Sequence, residues 1–409
     1  MNESTTRANW TETTLGEVAD VIMGRQLSPS KKMGVRPRRY LRAANIGHWG
    51  ISLDDVLEMD FSETEEKHFA SQVGDVLMVE GGNEKSVGCP AIVTSRESGL
   101  CIQNTVIRCR IKDASRLSAE YLFHFLRHSF WNGRFGELCA GTTIMHLGQK
   151  RAIIYPILFP PLSEQKRIVD VMTSVDAYIT AIQQQAVQAR IARYAVLHEL
   201  LTAGGDDWTE TKLGEVAAWH SGGTPKAGKP EFYEDGTIPW VVIADMLETE
   251  ILSTASRITP AGLAEIGGKL APKGSVLISM YATVGRPGFA HIPVATNQAI
   301  AWSIPNAEVI HSRFLLFVAQ RLEPTISAMA RGATQKNINR AILRDFSFML
   351  PPLSEQKRIV ETVTAMDDVV STTEQAVRVA QELRSGLLSA LLSGEHEIPA
   401  TYDRLLGAA

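Results

Sequence analysis

Apolar residues recur every three or four positions along two long stretches of the chain, each of which follows a pair of prolines. This spacing places the apolar side chains on one narrow stripe of an α-helix. No glycine or proline interrupts the first stretch from Ser163 to Ala203, which predicts about 38 helical residues and a length of about 57 Å. Ser163 and Ser354 are predicted to cap the two helices, and Glu164 and Glu355 place a negative charge in each first turn.

A stripe this narrow on so long a helix is typical of a coiled-coil seam. Because one chain contains two seams, we expect the helices to pack on each other as an antiparallel coiled coil. In the first helix the seam consists of Ile168, Met172, Val175, Ile179 and Ile182, followed after a change of phase by Val187, Ile191, Tyr194 and Leu201. In the second helix it consists of Ile359, Val363, Met366, Val370, Val377, Leu383, Leu387 and Leu391. Residues 161–204 and 352–395 are therefore predicted to be two spacer helices.

The remaining segments contain short apolar or alternating runs, such as DVLMVE, NTVIRCRI, SVLISMYA and AIAWSI, bounded by glycine, proline and asparagine. Such runs are typical of β-strands. Few helical patterns interrupt them, which predicts an α+β fold with mostly antiparallel sheets. The predicted domains are residues 1–160 and 205–351, and residues 396–409 are predicted to form a C-terminal tail.

The chain repeats itself. PPLSEQKRIV stands at residues 160–169 and again at 351–360, directly before the first turns of the two long helices. WTETTLGEVA at 10–19 returns as WTETKLGEVA at 208–217, and SAEYLFHFLRHS at 118–129 aligns with HSRFLLFVAQRL at 311–322. A repeat of this length indicates a duplicated structural unit. We therefore expect two similar domains related by a pseudo-two-fold, each followed by one spacer helix.

The composition excludes some classes of protein but does not indicate a function. The 409 residues are 44% hydrophobic and 21% charged with a net charge of −4, as in ordinary globular proteins. No apolar run approaches the ~18 residues that a membrane helix needs, and the start of the chain has no signal-peptide pattern. The four cysteines lack metal-site spacing, so a reduced, cytoplasmic location is expected.

One segment is strongly basic. Between residues 24 and 42 there are seven cations and no acid: Arg25, Lys31, Lys32, Arg36, Arg38, Arg39 and Arg42. A solvated surface explains such a run as well as a function does. Because we expect a loop rather than a helix here, the clustering favours a surface that faces the phosphates of nucleic acid.

Two patterns imitate catalytic sites. GTPKAGKP at 223–230 nearly fits a phosphate-binding loop, but Pro230 stands where the motif needs a hydroxyl, and we expect no helix after it. His124 and His128 have the spacing of metal ligands on a helix, yet no carboxylate accompanies them, so a surface pair is expected. The chain also lacks an [ND]PP[YF] motif for base methylation and a glycine-rich cofactor loop. We expect no active site and no bound metal.

Each half contains a glycine-rich loop after a buried strand. GGNEKSVG at 81–88 offers Asn83 and Lys85, and MYATVGRPG at 280–288 offers Tyr281 and Arg286. Different polar side chains on a shared scaffold would suit two different DNA sequences, because such side chains discriminate base edges in the major groove. Simple turns are the competing interpretation.

Together these motifs resemble the DNA-specificity subunits of type I restriction–modification systems. The resemblance covers nearly the whole chain and rests on the doubled PPLSEQKRIV, the two W-x-x-x-x-L-G-E-V openings, SGGTP at 221–225 and GATQKNI at 332–338. It implies two target-recognition domains separated by an antiparallel coiled coil, each of which binds one half of a split DNA target. It also implies that two modification subunits and restriction subunits supply the chemistry with S-adenosylmethionine, ATP and Mg²⁺, while this subunit holds no cofactor.

The resemblance also implies DNA-binding residues. In the second half these are Thr224, Lys226 and Lys229, followed by Gln335, Lys336 and Asn337 in the turn before the spacer helix. The first half departs from the pattern, since GRQLSP replaces SGGTP and TIMHL replaces TQKNI. Its counterparts are Arg25, Ser28, Thr143 and His146.

Two other functions stay open at this point. The first is a nucleotide-binding enzyme that uses Gly223–Lys229, and binding of ATP or S-adenosylmethionine by the chain alone would favour it. The second is a coiled-coil scaffold that joins two protein-binding domains, which absence of DNA affinity even with partners would favour.

Overall fold

The computed structural model describes residues 9–27, 35–48, 50–139, 145–332 and 337–405. The chain divides into two compact units. Unit 1 comprises Met1–Ile182 and Ala376–Ala409, and unit 2 comprises Gln183–Gln375. Each long helix therefore contributes one half to each unit.

In unit 1 the strands are β1 (Thr11–Thr14), β2 (Ala19–Met23), β3 (Pro37–Leu41), β4 (Ile46–Gly47), β5 (Gly50–Ile51), β6 (Leu57–Asp60), β7 (Val76–Val79), β8 (Gly81–Gly82), β9 (Pro90–Ile92), β10 (Cys101–Ile102), β11 (Val106–Ile111), β12 (Met145–His146) and β13 (Pro156–Phe159). The helices are α1 (Leu15–Val18), α2 (Glu63–Phe69), α3 (Ala119–Trp131), α4 (Arg134–Leu138), α5 (Gln149–Ile153) and the start of α6 (Leu162–Thr202).

In unit 2 the strands are β14 (Thr209–Lys212), β15 (Ala217–Ser221), β16 (Ile238–Val241), β17 (Glu250–Ile251), β18 (Ser256–Ile258), β19 (Val276–Ser279), β20 (Pro287–Ala290), β21 (Ala295–Thr296), β22 (Ile300–Pro305) and β23 (Ser347–Leu350). The helices are α7 (Leu213–Val216), α8 (Pro230–Tyr233), α9 (Pro260–Glu265), α10 (Ser312–Gly332), α11 (Arg340–Arg344) and α12 (Leu353–Ser393), whose end, with α13 (Tyr402–Leu405), belongs to unit 1.

The two units share the order of four strands in the central sheet, to which unit 2 adds a fifth, β17. The central sheet has the order β2-β11-β7-β9 in unit 1 and β15-β22-β19-β20-β17 in unit 2. A smaller sheet accompanies each, β10-β3-β6 and β18-β16-β21. Neighbouring strands of the described residues are antiparallel except β10 with β3, β16 with β21 and β17 with β20. The predicted α+β fold with mostly antiparallel sheets is confirmed.

In each unit the repeated W-x-x-x-x-L-G-E-V motif brings the first strand of the domain beside its last strand. Strand β1 pairs with β13, and β14 pairs with β23, so the first strand lies beside the last one before the prolines. Leu15 and Leu213 are fully buried. A side chain at Gly16 would lie 2.7 Å from Cγ2 of Ile153, and one at Gly214 would lie 2.9 Å from Arg344. The glycine is therefore required for close packing of the turn.

The repeated glutamine of PPLSEQKRIV joins each spacer helix to its domain. Gln165 is fully buried; its Nε2 donates to the carbonyls of Arg116 and Pro160 at 2.8 and 2.7 Å, and its Oε1 accepts from the amide of Ser118 at 2.9 Å. Gln356 is also fully buried and makes the same three bonds, to Val309, Pro351 and His311. The ten-residue repeat thus preserves one identical junction in both units.

The spacer helices begin at Leu162 and Leu353, so Ser163 and Ser354 lie inside the first turn and the predicted caps are wrong by position. Within unit 1, Ile168 and Met172 share a core with Leu388, Leu391 and Leu392. Within unit 2, Leu197 and Leu201 share a core with Ile359 and Val363. Within unit 2, Arg190 pairs with Glu374 and Arg193 pairs with Asp367, so rising residue numbers on α6 meet falling ones on α12 and the helices are antiparallel as predicted.

The seam differs from the prediction in part. The coiled-coil residues Ile168, Met172, Ile179, Ile359 and Val363 are buried, and Val175, Met366 and Val370 are half-buried. Val187, Ile191, Tyr194 and Leu383 were expected in the seam but are exposed, by 52%, 56%, 64% and 69%. Their places are taken by Ala186, Arg193 and Arg384. Alanine allows close approach of the backbones, and each arginine pairs with an aspartate on the facing helix, Asp367 and Asp176.

Residues near the C-terminus pack on unit 1. Ile398 is 7% exposed within the unit 1 core, and Asp403 accepts from Arg167 at 3.2 Å. Residues that the sequence leaves as a tail therefore help to hold α6. Among the described residues, no helix has the combination of length and hydropathy needed to cross a membrane.

Candidate nucleic-acid interface

Four segments of unit 1 meet at one end of its central sheet. Strands β2 and β7 end there, at Met23 and Val79, while β11 starts there after Thr105. The amide of Glu80 donates to Thr105 at 2.9 Å, and that of Asn104 donates to Arg25 at 3.0 Å. The turn before α5 joins them, because β12 pairs with β8 in the register of His146 with Gly81. Segments far apart in sequence thus form one polar cluster.

Unit 2 forms the same cluster from the equivalent segments. The amide of Gly223 donates to Thr296 at 2.9 Å, and the amide of Met280 donates to Ala299 at 2.7 Å. The turn before α11 reaches the same place, because the amide of Ile338 donates to the Met280 carbonyl at 3.1 Å. The shared scaffold is therefore preserved while the side chains on it change.

The chemistry of the two clusters differs. In unit 1, Nδ1 of His146 lies 3.0 Å from a carboxylate oxygen of Glu80, and the His146 side chain is 56% exposed. In unit 2, the hydroxyl of Thr224 donates to Oε1 of Gln298, while Tyr281 is 41% exposed and Asn337 is exposed. Two sets of hydrogen-bonding side chains on one scaffold can discriminate two different sequences.

The predicted residues of the first glycine-rich loop are on the surface. Asn83 and Lys85 are exposed. Asn83 also shapes its own turn, since its Oδ1 accepts from the amide of Lys85 at 3.0 Å. Of the other counterparts predicted in this half, Thr143 and Ser28 lie outside the described residues.

The basic segment is largely compensated by acids from another part of the chain. Helix α2 places three acids opposite the segment, Glu63, Glu65 and Glu66. Glu66 accepts from Arg36 at 3.0 Å and from Arg38 at 2.6 Å, and the hydrogen bond from Arg38 lowers the pKa of Glu66. The sequence interval 24–42 contains no acid, so these partners could not be seen in it.

The side chain of Arg25 is buried, whereas that of Arg39 is exposed. Arg25 is 7% exposed, its Nε donates to Glu65 at 2.9 Å, and its guanidinium lies 4.9 Å from the ring centroid of Phe61. The Arg25 side chain is therefore held by an ion pair with Glu65 and by contact with Phe61, and its predicted role in DNA binding stays a prediction. Arg39 is exposed and forms no ion pair with a described residue. Lys31 and Lys32 lie outside the described part of the chain.

In unit 2, Thr224, Lys226 and Lys229 are exposed on the loop before α8. Lys229 pairs with Glu231 at 3.3 Å. Contrary to expectation a helix does follow the loop, but α8 has a single turn. Trp240 donates to the carbonyl of Gly223 at 3.2 Å, so this backbone is held by the protein itself. Gln335 and Lys336 lie outside the described residues.

Arg286 does not join the cluster. It lines a different cavity of unit 2 together with Arg193, Gln320 and Glu323. Burial raises the pKa of Glu323, and the charge of Arg286 opposes this effect. The side chain therefore points toward helix α10 rather than toward the sheet end that Tyr281 occupies.

Sequence reasoning missed one of the four segments in each unit, the polar loop before β11 and before β22. Gln103 and Asn104 precede β11, and Asn297 and Gln298 precede β22. The signal was present: a pair of amide residues stands before a buried strand at the same place in both halves. Amide side chains form two hydrogen bonds with adenine edges, so these residues belong to the candidate interface.

The two histidines of α3 correct another expectation. His124 and His128 are 4% and 8% exposed, so they are buried rather than a surface pair. Burial lowers the pKa of both, that of His124 to about 4. Within the described ranges, no three histidine, cysteine or acidic side chains come together as a metal site would require.

Comparison with known proteins gives the family. The profile of the type I restriction modification DNA specificity domain matches residues 7–192 and 205–380. The specificity subunit of the type I restriction enzyme EcoR124I/EcoR124II from Escherichia coli is 28% identical over 54% of this chain and 55% of its own length, so the match spans about half of that relative. The StySPI specificity subunit from Salmonella potsdam is 23% identical over 96% of this chain and 89% of that protein.

Solved structures agree with the fold. The S subunit of the type I restriction–modification system from M. genitalium superposes with a TM-score of 0.55 at 16% identity and covers 95% of this chain and 97% of that one. Both halves of the chain thus match one domain profile, and both contain the same order of four central strands followed by a spacer helix. The chain belongs to the family of DNA specificity subunits of type I restriction–modification systems.

Proposed function

We propose that this chain recognises a two-part sequence in double-stranded DNA, with one part bound by each unit. The observation that supports this most strongly is the pair of equivalent clusters. Four corresponding segments meet at the same sheet end in both units, and the exposed groups differ, with His146 in one and Thr224, Gln298 and Asn337 in the other. One scaffold with two side-chain sets suits two unlike half-sites.

The chain acts as a targeting subunit in this proposal and performs no chemistry itself. Two modification subunits methylate adenine with S-adenosylmethionine, and restriction subunits use ATP and Mg²⁺ to cleave. These partners and cofactors come from the resemblance to type I systems. A binding role agrees with the cluster side chains, which are mainly amides, hydroxyls and lysines that recognise bases and phosphates. We expect the assembled complex to act in the cytoplasm.

Adenine methylation mapped by sequencing tests this function. A host without adenine methylation would express the chain with its modification subunit, either unchanged or with Gln298→Ala or Asn104→Ala. The unchanged chain should give one two-part motif. Gln298→Ala should relax or abolish selection in only one part, and Asn104→Ala should affect only the other part, because the two residues lie in separate clusters. Identical changes in both parts would contradict the assignment of one part to each unit.

A second arm separates targeting from catalysis. The purified chain, mixed with labelled S-adenosylmethionine and target DNA but without the modification subunit, should transfer no methyl group. Turnover in this mixture, or tight binding of ATP by the chain alone, would support an enzyme instead. Absence of DNA binding even in the assembled complex would support a protein scaffold.

A further inference from the structure

A cavity of about 750 Å³ lies inside unit 1, outside the DNA-facing cluster. Helix α3, the segment after β9, and the unit 1 halves of α6 and α12 form its walls. The apolar lining consists of Ile51, Ile92, Phe123, Trp131, Ile179 and Leu388. A cavity of this size that combines apolar walls with convergent polar groups is typical of sites for small organic molecules.

The polar groups converge on one carboxylate. Asp176 accepts from NH2 of Arg384 at 3.0 Å and from NH1 of Arg127 at 3.3 Å. The side chains of Arg384 and Arg127 are only 8% and 11% exposed. Burial acts to raise the pKa of Asp176, but its hydrogen bonds with Arg384 and the charge of Arg127 outweigh burial and lower it. Asp176 is therefore ionised at neutral pH, and two buried cations share its single negative charge.

The other charged groups of the lining do not neutralise the excess positive charge of these two arginines over Asp176. Arg96 and Glu97 also line the cavity, but among the described residues neither forms an ion pair with Arg127 or Arg384, whose printed ion pairs are with Asp176. The nearby His124 is neutral at pH 7 because burial lowers its pKa to about 4. One positive charge thus lacks a counter-charge. An uncompensated buried charge is costly in free energy unless a partner is supplied.

Arg127 also has unused hydrogen-bonding capacity. Its Nε is buried and has no partner among the described residues. Burial, followed by the charge of Arg384, lowers the pKa of Arg127. Phe123 covers one side of the guanidinium, with 5.5 Å between its ring centroid and Cζ of Arg127. An anionic group placed beside Arg127 would supply both the missing charge and a hydrogen-bond acceptor.

Unit 2 provides an internal comparison. Arg193 pairs with Asp367 at 2.8 Å, the counterpart of Arg384 with Asp176. The position of Arg127 in α3 corresponds to Gln320 in α10, whose Oε1 accepts from Arg193 at 3.2 Å. Here one cation meets one acid and a neutral amide. The helix contact therefore does not require a second arginine, and the extra charge is particular to unit 1.

The rim of the cavity offers a flat apolar surface. Trp131 is 50% exposed and stacks on His48, with 4.9 Å between the ring centroids and 27° between the planes. A planar ring of a ligand could lie against this exposed indole, since offset stacking stabilises aromatic pairs.

We propose that this cavity binds a planar organic anion. Its carboxylate or phosphate group pairs with Arg127 and Arg384, and its ring packs against Trp131 and Phe123. Because the walls come from α3 and from both spacer helices, a bound anion stabilises the contact between the recognition domain of unit 1 and its helices. The ligand binds the folded unit and therefore raises its melting temperature, by an amount that grows with the logarithm of the ratio of ligand concentration to dissociation constant.

Calorimetric titration of the purified full chain tests the site with defined probes. Naphthoate supplies a ring and a carboxylate, phenyl phosphate supplies a ring and a phosphate, and naphthamide is the neutral analogue of naphthoate. At least one anion should bind with a dissociation constant below about 1 mM, and naphthamide should bind about tenfold or more weakly than naphthoate. The tighter anion identifies the acid group. Absence of binding by both anions, or equal affinity for naphthoate and naphthamide, overturns the proposal.

Variants locate the binding. Arg127→Gln copies the residue that unit 2 carries at position 320, so unit 1 should stay folded, which circular dichroism checks. It should weaken the tighter anion about tenfold or more and leave naphthamide binding unchanged. Trp131→Ala at the rim should weaken the binding of all ring-containing probes. Arg190→Gln, whose exposed side chain pairs with Glu374 in unit 2, should leave probe binding unchanged. Unchanged anion affinity in both Arg127→Gln and Trp131→Ala would overturn the assignment to this cavity.

Discussion

Replacing Gln356 by alanine should destabilise unit 2 strongly although the residue lies far from the candidate DNA interface. The side chain is fully buried and makes three hydrogen bonds to backbone groups, at 2.8 Å to the His311 amide, 3.0 Å to the Val309 carbonyl and 2.8 Å to the Pro351 carbonyl. Alanine leaves all three groups without a partner. At about 1 kcal/mol for each hydrogen bond, the free energy of unfolding should fall by about 3 kcal/mol.

Thermal unfolding followed by calorimetry measures this loss. For a unit of this size, about 3 kcal/mol corresponds to a fall of roughly 6–12 °C in the melting temperature. Gln165→Ala should lower the stability of unit 1 by a similar amount, because Gln165 makes the same three bonds there. Gln185→Ala is the matched control, since Gln185 is exposed on α6 and should change stability by less than about 0.5 kcal/mol. A Gln356→Ala protein that melts with the unchanged chain would refute the reasoning.

Three further predictions concern DNA binding, target spacing and acid stability. Arg39→Gln in the assembled complex should make the salt dependence of DNA affinity less steep by about one unit. Arg38→Gln should reduce this salt dependence by a smaller amount, because Arg38 is paired with Glu66. An unchanged salt dependence with an altered target sequence would mean that Arg39 contacts bases. Four residues inserted after Gln185 add about 6 Å to α6, and methylation mapping should show half-sites one or two base pairs further apart, whereas an unchanged spacing in a folded variant would show that the helices do not set it. The pKa of His124 in the folded state is about 4, below the ordinary 6.5, so protonation favours the unfolded chain as the pH falls below 6.5. Lowering the pH from 7.5 to 5 should therefore reduce the free energy of unfolding by about 2 kcal/mol through this group. His124→Phe should remove that loss in pH-dependent melting curves, and equal acid sensitivity of both proteins would count against it.

The features that sequence predicted are those that recur in it. The two long helices, their antiparallel pairing and the duplicated α+β domain follow from PPLSEQKRIV and from the apolar spacing, because each long helix repeats one local pattern many times. The structure also explains the strict repetition of Gln165 and Gln356, which hold equivalent backbone groups in both units. The overall architecture could therefore be predicted from local sequence patterns.

The predictions from sequence were wrong where buried polar residues, rather than apolar ones, form the contact between elements. Apolar spacing placed Tyr194 and Leu383 in the seam, whereas the neighbouring Arg193 and Arg384 are the residues that face the partner helix. An arginine can be buried when an acid on the facing helix compensates its charge, and that acid lies far away in sequence. The basic segment shows the same effect, since Glu66 pairs with Arg36 and Arg38 only in the folded chain.

The sequence predicted which kinds of residue form the candidate interface, but not every residue that belongs to it. Glycine-rich loops after buried strands indicated where polar side chains would gather, and Asn83, Lys85 and Tyr281 are exposed there. Thr224, which the resemblance implied, is also exposed. Gln298 was missed because its loop carries no glycine signal. Its inclusion depends on a hydrogen bond with Thr224, which the sheet topology makes possible.

Exchange of one recognition domain tests the central claim most directly, namely that each unit recognises its own half of the target. Residues 10–160 would be replaced by the equivalent domain of a related specificity subunit, and the adenine-methylated sites of a host expressing the hybrid with its modification subunit would be mapped by sequencing. We predict that one half of the two-part motif changes to that of the donor while the other half stays the same. A folded hybrid in which both halves change would contradict the account.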